Sequence, residues 1–287
     1  MNQERLCTVQ WLSPEGLKKL AYREWGDPNN PNVLICVHGL TRSSQDFRSV
    51  AEKLMHRTRV VSVDMPGRGR SEWFANGANY AVPNYVAACV ALVARLNASQ
   101  VDWLGTSMGG LIGMGYASLP GNPIRKLILN DVGPTLNLEA LQRIGAYVGQ
   151  AMVFESREQA HQYIRTISAP FGPHSEAQWA TLCDTVLIQN SEGQWTTHYD
   201  PSIALGFKDL DAVTVGAMET ALWASYDAIK CPTLLIRGEQ SDLLSAQTAQ
   251  IMSQRGPHAI VKTVSGVGHA PTLMQADQIQ IIEGFLN

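Results

Sequence analysis

Gly105-Thr106-Ser107-Met108-Gly109 puts a serine between two glycines at the junction of an apolar stretch, Gln100–Leu104, and a run rich in small residues, Gly109–Ala117. A serine forced onto a sharp strand-to-helix turn presents its hydroxyl outward, and the positions two residues either side must then be small. As a bare pattern G-x-S-x-G occurs by chance; inside strand-turn-helix it points to a serine nucleophile for acyl transfer. Such a hydroxyl reacts only if a base takes its proton and an acid holds that base in the right tautomer. In a sheet of this kind the expected chain order is serine, acid, histidine.

Downstream histidines are His161, His174, His198, His258 and His269. Only His269 lies in a glycine-rich loop after a C-terminal strand, Ser265-Gly266-Val267-Gly268-His269-Ala270-Pro271, and it is taken as the base. For the acid, Asp242 follows the strand Thr233–Arg237 in Gly238-Glu239-Gln240-Ser241-Asp242 and is the choice over a helix-capping role. Asp131, in Asn130-Asp131-Val132-Gly133-Pro134, is its competitor, with Glu239 behind it. Two N–H donors are needed for the oxyanion. Met108, just past the nucleophile, and Leu40, in His38-Gly39-Leu40-Thr41-Arg42, are expected to supply them. His38 precedes the nucleophile and reads as a structural hydrogen-bonding residue, Arg42 as a surface salt-bridge partner. Asp64–Ser71 is glycine-rich but lacks the lysine-serine pair and glycine spacing of phosphate loops, so it reads as a tight turn.

These residues need a scaffold. Val33–Val37 is an unbroken apolar run, as expected of a strand buried on both faces of a parallel sheet; Arg59–Val63 reads as another buried strand, and the mostly apolar Gln100–Leu104 and then Arg125–Asn130 as the next strands. Leu17–Trp25 reads as an edge strand. Helical spacing fills the gaps at Ser43–Met55 and Asn84–Leu96, an alternation that predicts an α/β architecture with helices on both faces. From about Gly133 to Tyr226 the rhythm stops. Helical stretches at 138–154, 156–167, 175–189 and 209–224 replace it, with a hairpin or extended loop at 193–201. Strand-helix alternation returns at Thr233–Arg237, Ala259–Val264 and a closing helix from about Thr272 to Phe285. The block at 134–226 is expected to cap the C-terminal ends of the strands, dividing the core into 1–133 and 227–287. Its aromatics Phe154, Phe171, Trp179, Trp195, Trp223 and Tyr226 are each expected to be mainly cap core, with some lining an acyl pocket; substrate-binding residues are otherwise unassigned.

The chain has 287 residues, 45% hydrophobic and 16% charged, enough for a large core with one insertion. A net charge of −3 without a basic run argues against nucleic acid as a partner. Five scattered cysteines without CxxC spacing suggest a reducing compartment and no metal cluster. No apolar run reaches signal-peptide or membrane-span length, so the expectation is a cytoplasmic protein, monomer or homodimer, with a small-molecule substrate and no cofactor, metal or membrane partner.

His38-Gly39-Leu40, Asp64–Ser71, Gly105–Gly109, Gly238–Asp242 and Gly268-His269-Ala270-Pro271, in this order along the chain, resemble the α/β-hydrolase family. The resemblance implies a mostly parallel sheet flanked by helices, with a helical cap inserted after the sixth strand. It also implies a Ser107-His269-Asp242 triad hydrolysing a small or medium, largely apolar ester, thioester or lactone. Two alternatives stay open at this point. One is hydrolysis of a carbon–carbon bond with the same triad, although Ala270 stands where such relatives often carry tryptophan. The other is a slow-turnover ligand receptor on the same fold.

Overall fold

A computed structural model describes residues 4–208 and 210–287. Its strands and helices alternate from the start: β1 (Arg5–Ser13), β2 (Gly16–Trp25), β3 (Val33–Val37), α1 (Arg48–Leu54), β4 (Arg59–Val63), α2 (Val82–Leu96), β5 (Val101–Thr106), α3 (Met108–Ala117) and β6 (Ile124–Asn130). The alternation resumes with β10 (Thr233–Gly238), α8 (Ala246–Gln254), β11 (Ile260–Val264) and α9 (Ala276–Leu286). The eight strands outside the insertion form one sheet in the order β1-β2-β4-β3-β5-β6-β10-β11. It is parallel from β4 to β11, and β1 and β2 join it antiparallel.

β3 and β4 match the apolar runs residue for residue, because strands in mid-sheet must be apolar on both faces. Alternate residues feed two cores. Ile35, Val61, Trp103 and Leu129 pack with α2 and α3, while Leu34, Val60, Leu104 and Ile128 pack with α1 and α9. Leu17–Trp25 is not an edge. β1 pairs with it along nine residues and takes the edge position. β1 alternates exposed and half-buried side chains, so its apolar signal is diluted.

Between β6 and β10 lie α4 (Leu138–Val148), β7 (Val153–Phe154), α5 (Arg157–Ile167), α6 (Glu176–Asp184), β8 (Leu187–Gln189), β9 (Trp195–Thr197) and α7 (Ala212–Ala228). Of the segment 193–201, expected to be a hairpin or extended loop, only β9 is a strand; its hairpin partner β8 lies upstream, at the end of the stretch expected to be helical, and with β7 they make a three-stranded antiparallel sheet. Two helices therefore end earlier than their periodicity suggests, α4 at Val148 and α6 at Asp184. Phe154, Ala160, Ile164, Cys183, Val186 and Leu187 form a separate small core under this sheet.

Hydrogen bonds fasten this insertion to the loops at the sheet's C-terminal edge. Gly268 N–H donates to Pro170 O at 2.7 Å, Asp200 N–H to Gly67 O at 2.8 Å, and Ser43 Oγ–H to Thr185 O at 3.0 Å. Arg42 does more than sit on the surface. Its guanidinium holds Asp46 at 2.8 and 2.6 Å and also donates to Leu182 O and Thr185 Oγ1. Among the described residues no helix is long and apolar enough to cross a membrane.

Candidate active site

The parallel strands deliver their following residues to one edge, where β3, β5 and β6 are immediate neighbours. Ser107, between β5 and α3, has φ 51° and ψ −115°, a conformation rare for a residue with a side chain. The flanking glycines are obligatory. A Cβ on Gly105 would come within 2.2 Å of Gly109 O, and one on Gly109 within 2.0 Å of Val37 O. Helix α3 thus crosses directly over the ends of β3 and β5, and the serine side chain has only the outward direction left.

His269 stands in the loop after β11, as expected. Its Nε2 lies 2.9 Å from Ser107 Oγ and its Nδ1 lies 2.7 Å from Asp131 Oδ2. A carboxylate can only accept, so Nδ1 carries the proton and Nε2 is free to accept from the serine hydroxyl. Asp131 is fully buried and His269 largely so.

The carboxylate beside the imidazole is Asp131, and not Asp242. Asp242 is half-exposed and paired with Arg143 of α4, also exposed. The reason is lateral order in the sheet. Asp131 follows β6, which lies beside β5, whereas Asp242 lies four residues beyond the end of β10, one strand further out. The loop after β10 serves Asp131 instead. Gly238 N–H donates to its Oδ1 at 2.8 Å and Ser241 Oγ–H to its Oδ2 at 2.6 Å. Glu239 turns outward to Ser265 and Gly266. Asp131 also has a positive φ of 56°, so two residues of this constellation hold left-handed backbone. The sequence signal for this was the Asn130-Asp131-Val132-Gly133-Pro134 stretch at a strand end.

Asn130 ties the three segments together from beneath. Its Nδ2 donates to Thr106 Oγ1 at 3.0 Å and to Pro271 O at 2.8 Å, and its carbonyl accepts from Ser107 N–H at 3.0 Å. It is fully buried, and sequence reasoning gave it no role.

Leu40 and Met108 both border the cavity above Ser107. Among the described residues, neither backbone N–H has a protein acceptor. The Gly39–Leu40 peptide is held from its carbonyl end: Gly39 O accepts from Arg42 N–H at 3.2 Å and from His38 Nδ1–H at 2.7 Å. His38 Nε2 in turn accepts from Met65 N–H at 3.0 Å, which fixes the tautomer. Burial lowers the His38 pKa to about 4, so the ring is a neutral brace for this loop. In Asp64–Ser71 the buried Asp64 carboxylate accepts from Ser44 and Arg70 N–H groups, as a structural turn requires.

The cavity has a volume of about 1190 Å³ and a mainly apolar wall from α2, α3 and the insertion. Of the six insertion aromatics singled out above, only Phe171 borders it. Phe154 and Tyr226 are buried elsewhere, and Trp223 lies under Arg255. Tyrosines take the wall positions instead, among them Tyr147, Tyr163 and Tyr199. Among the described residues no group of three or more His, Cys, Asp and Glu side chains could hold a metal ion.

The alpha/beta hydrolase family profile matches residues 34–279. The chain is 51% identical over 284 residues to a 3-hydroxybutyrate-oligomer hydrolase of Cupriavidus necator, covering 98% of this chain and 97% of that one. It is 27% identical over 278 residues to an esterase of Mycobacterium tuberculosis, covering 92% and 85%. Among solved structures, an alpha/beta hydrolase from Novosphingobium aromaticivorans superposes with a TM-score of 0.83 at 34% identity, over 100% of this chain and 99% of that one. The chain belongs to the alpha/beta hydrolase family, and it is a serine hydrolase of carboxylic esters.

Proposed function

We propose that Ser107, His269 and Asp131 form the catalytic relay, and that the substrates are short oligoesters of 3-hydroxy acids, 3-hydroxybutyrate oligomers foremost. Ser107 Oγ attacks the ester carbonyl while its proton passes to His269 Nε2. The tetrahedral oxygen takes the N–H groups of Leu40 and Met108. His269 then gives the proton to the departing alcohol oxygen as its bond to the carbonyl carbon breaks, leaving an acyl group on Ser107. Water, deprotonated by the same nitrogen, releases the carboxylic acid and restores the serine. Asp131 holds the imidazole and stabilises its positive form.

The observation that carries this reading is the relay Ser107–His269–Asp131 at 2.9 and 2.7 Å, opening onto a large apolar cavity. At about 1190 Å³ that cavity exceeds what a single short acyl group fills. The substrate class is supported by the 51% identity to the 3-hydroxybutyrate-oligomer hydrolase across nearly the full length of both chains. An oligoester adds further carbonyls to an aliphatic chain and so needs scattered donors within apolar walls. Tyr147 and Tyr163 supply them. Burial pushes both phenols up, and among the described residues no protein group hydrogen-bonds either hydroxyl.

The test is release of 3-hydroxybutyrate from its dimer and trimer by purified protein, followed by chromatography, with Ser107→Ala as the control. The variant is expected to lose about a million-fold in turnover. Hydrolysis of p-nitrophenyl butyrate without hydrolysis of either oligomer removes the oligoester assignment and leaves the relay standing.

A further inference from the structure

Arg68 lies in the turn after β4 and is completely buried, one of the largest side chains in the protein to be so. A guanidinium cannot shed its charge by losing a proton, and a buried charge is tolerated only when something compensates it. Among the described residues no carboxylate pairs with Arg68. Its Nε–H donates to Leu40 O at 2.8 Å, and Nη1 donates to Pro66 O at 2.8 Å and Tyr85 Oη at 2.5 Å. Nη2 points at Met108 Sδ, 3.4 Å away. The rings of Tyr80 and Tyr85 lie against it at 5.5 and 5.2 Å. Negative charge is one step removed, at Asp200, which accepts from Tyr80 Oη–H at 2.6 Å.

The partners of this cation include both residues read above as oxyanion donors. Leu40 is held through its carbonyl and Met108 through its thioether, so one rigid planar group spans from the loop after β3 to the start of α3. We propose that Arg68 is a positioning residue of the oxyanion hole, fixing the separation of the Leu40 and Met108 amides and lending a positive field to the oxygen they bind. The inference rests on the reading of those two amides as the donors. A charge left without a direct counter-ion in the resting enzyme is well suited to this role. Its field acts on the carbonyl oxygen as that oxygen becomes negative, and the surrounding tyrosines and apolar wall keep that field unscreened. Its action is confined to the charged state. A neutral ester in the ground state gains little from it, so kcat depends on Arg68 and KM does not.

The experiment compares wild type with Arg68→Met and Arg68→Lys, each checked for folding by circular dichroism and thermal melting. Two readouts are taken: steady-state hydrolysis of p-nitrophenyl butyrate, and inhibition by an alkyl trifluoromethyl ketone, which forms an oxyanion on the serine. Arg68→Met is expected to lower kcat about ten- to a hundred-fold, less than removal of a direct donor. The ketone should weaken by the same factor, with KM within about twofold. Arg68→Lys keeps the charge and is expected to recover most of both losses. Should Arg68→Met fail to fold, Arg68→Gln, neutral but polar, gives the same comparison. A folded neutral variant with unchanged kcat and ketone affinity overturns the proposal, as does an equal loss in KM or a lysine variant no better than the neutral one. Failure of wild type itself to bind the ketone strikes the reading of the donors instead, and the proposal falls with it.

Discussion

Replacing Asp131 by asparagine, beside the parallel replacement of Asp242, isolates the acid of the relay. In the native protein Asp131 Oδ2 accepts from His269 Nδ1–H at 2.7 Å, and its other oxygen accepts from Gly238 N–H at 2.8 Å. Asparagine has a single acceptor oxygen. The backbone N–H of Gly238 cannot turn away, so the oxygen stays there and the amide NH2 faces the imidazole. Nδ1 must then accept, the ring proton moves to Nε2, and the nitrogen facing Ser107 can no longer take a proton. A reversed tautomer of this kind costs on the order of 10⁴ in kcat, about 5.5 kcal/mol of barrier. Asp242→Asn removes only an ion pair whose side chains are 49% and 61% exposed, in which solvent screening leaves little to lose. Its activity is expected within about twofold of wild type and its stability within about 1 kcal/mol. Steady-state hydrolysis of p-nitrophenyl butyrate by both variants, with melting curves, reads the contrast directly. A thousand-fold loss in Asp242→Asn, or an Asp131→Asn enzyme keeping more than about a tenth of kcat, refutes the assignment.

Other consequences follow from the same geometry. Gly109→Ala puts a methyl group 2.0 Å from the Val37 carbonyl, where only backbone could yield, and should cost about 3 kcal/mol or more by thermal melting. Gly284→Ala, with open space around it in α9, should instead gain up to about 1 kcal/mol, and a loss there would contradict the packing argument. His38 is held near pKa 4 by burial, below its ordinary 6.5, so below about pH 6.5 the unfolded chain binds a proton that the native state refuses. Stability from this group is full above that pH and is lost as pH falls toward 4. Urea unfolding at pH 7 and pH 5 should differ by about 2 kcal/mol from it, a component that must vanish in His38→Asn. Tyr147→Phe and Tyr163→Phe should each raise KM for a 3-hydroxybutyrate trimer about three- to ten-fold and leave p-nitrophenyl butyrate unchanged. Equal effects on both substrates would remove these hydroxyls from oligoester recognition.

Much of this was legible in the chain, and the exceptions have physical causes. The strands from β3 to β6 read cleanly because each is built largely of buried apolar residues and is bounded by turns. β1 escaped because an edge strand with alternating exposure carries a diluted signal. The strands β7, β8 and β9 are two or three residues long, too short for any period to register, and β7 and β8 fall at the ends of stretches that otherwise look helical. The wall tyrosines were passed over because an aromatic in an insertion has no periodic cue for which way it points.

The meeting of Ser107 and His269 was legible in the chain, since each position needs only a local condition: glycines where a helix must cross strand ends, and a flexible loop after a late strand. The partner of the histidine was not. Asp131 and Asp242 both follow strands that end on the same edge, and neighbouring strands lie only about 4.8 Å apart. Which carboxylate meets the imidazole is therefore set by the lateral order β5-β6-β10 and by whether the loop descends or stays above the sheet. Gly238 and Ser241 turn their donors toward Asp131, and Asp242 is carried past them to Arg143. That choice depends on contacts between segments more than a hundred residues apart, a distance over which local pattern has no reach.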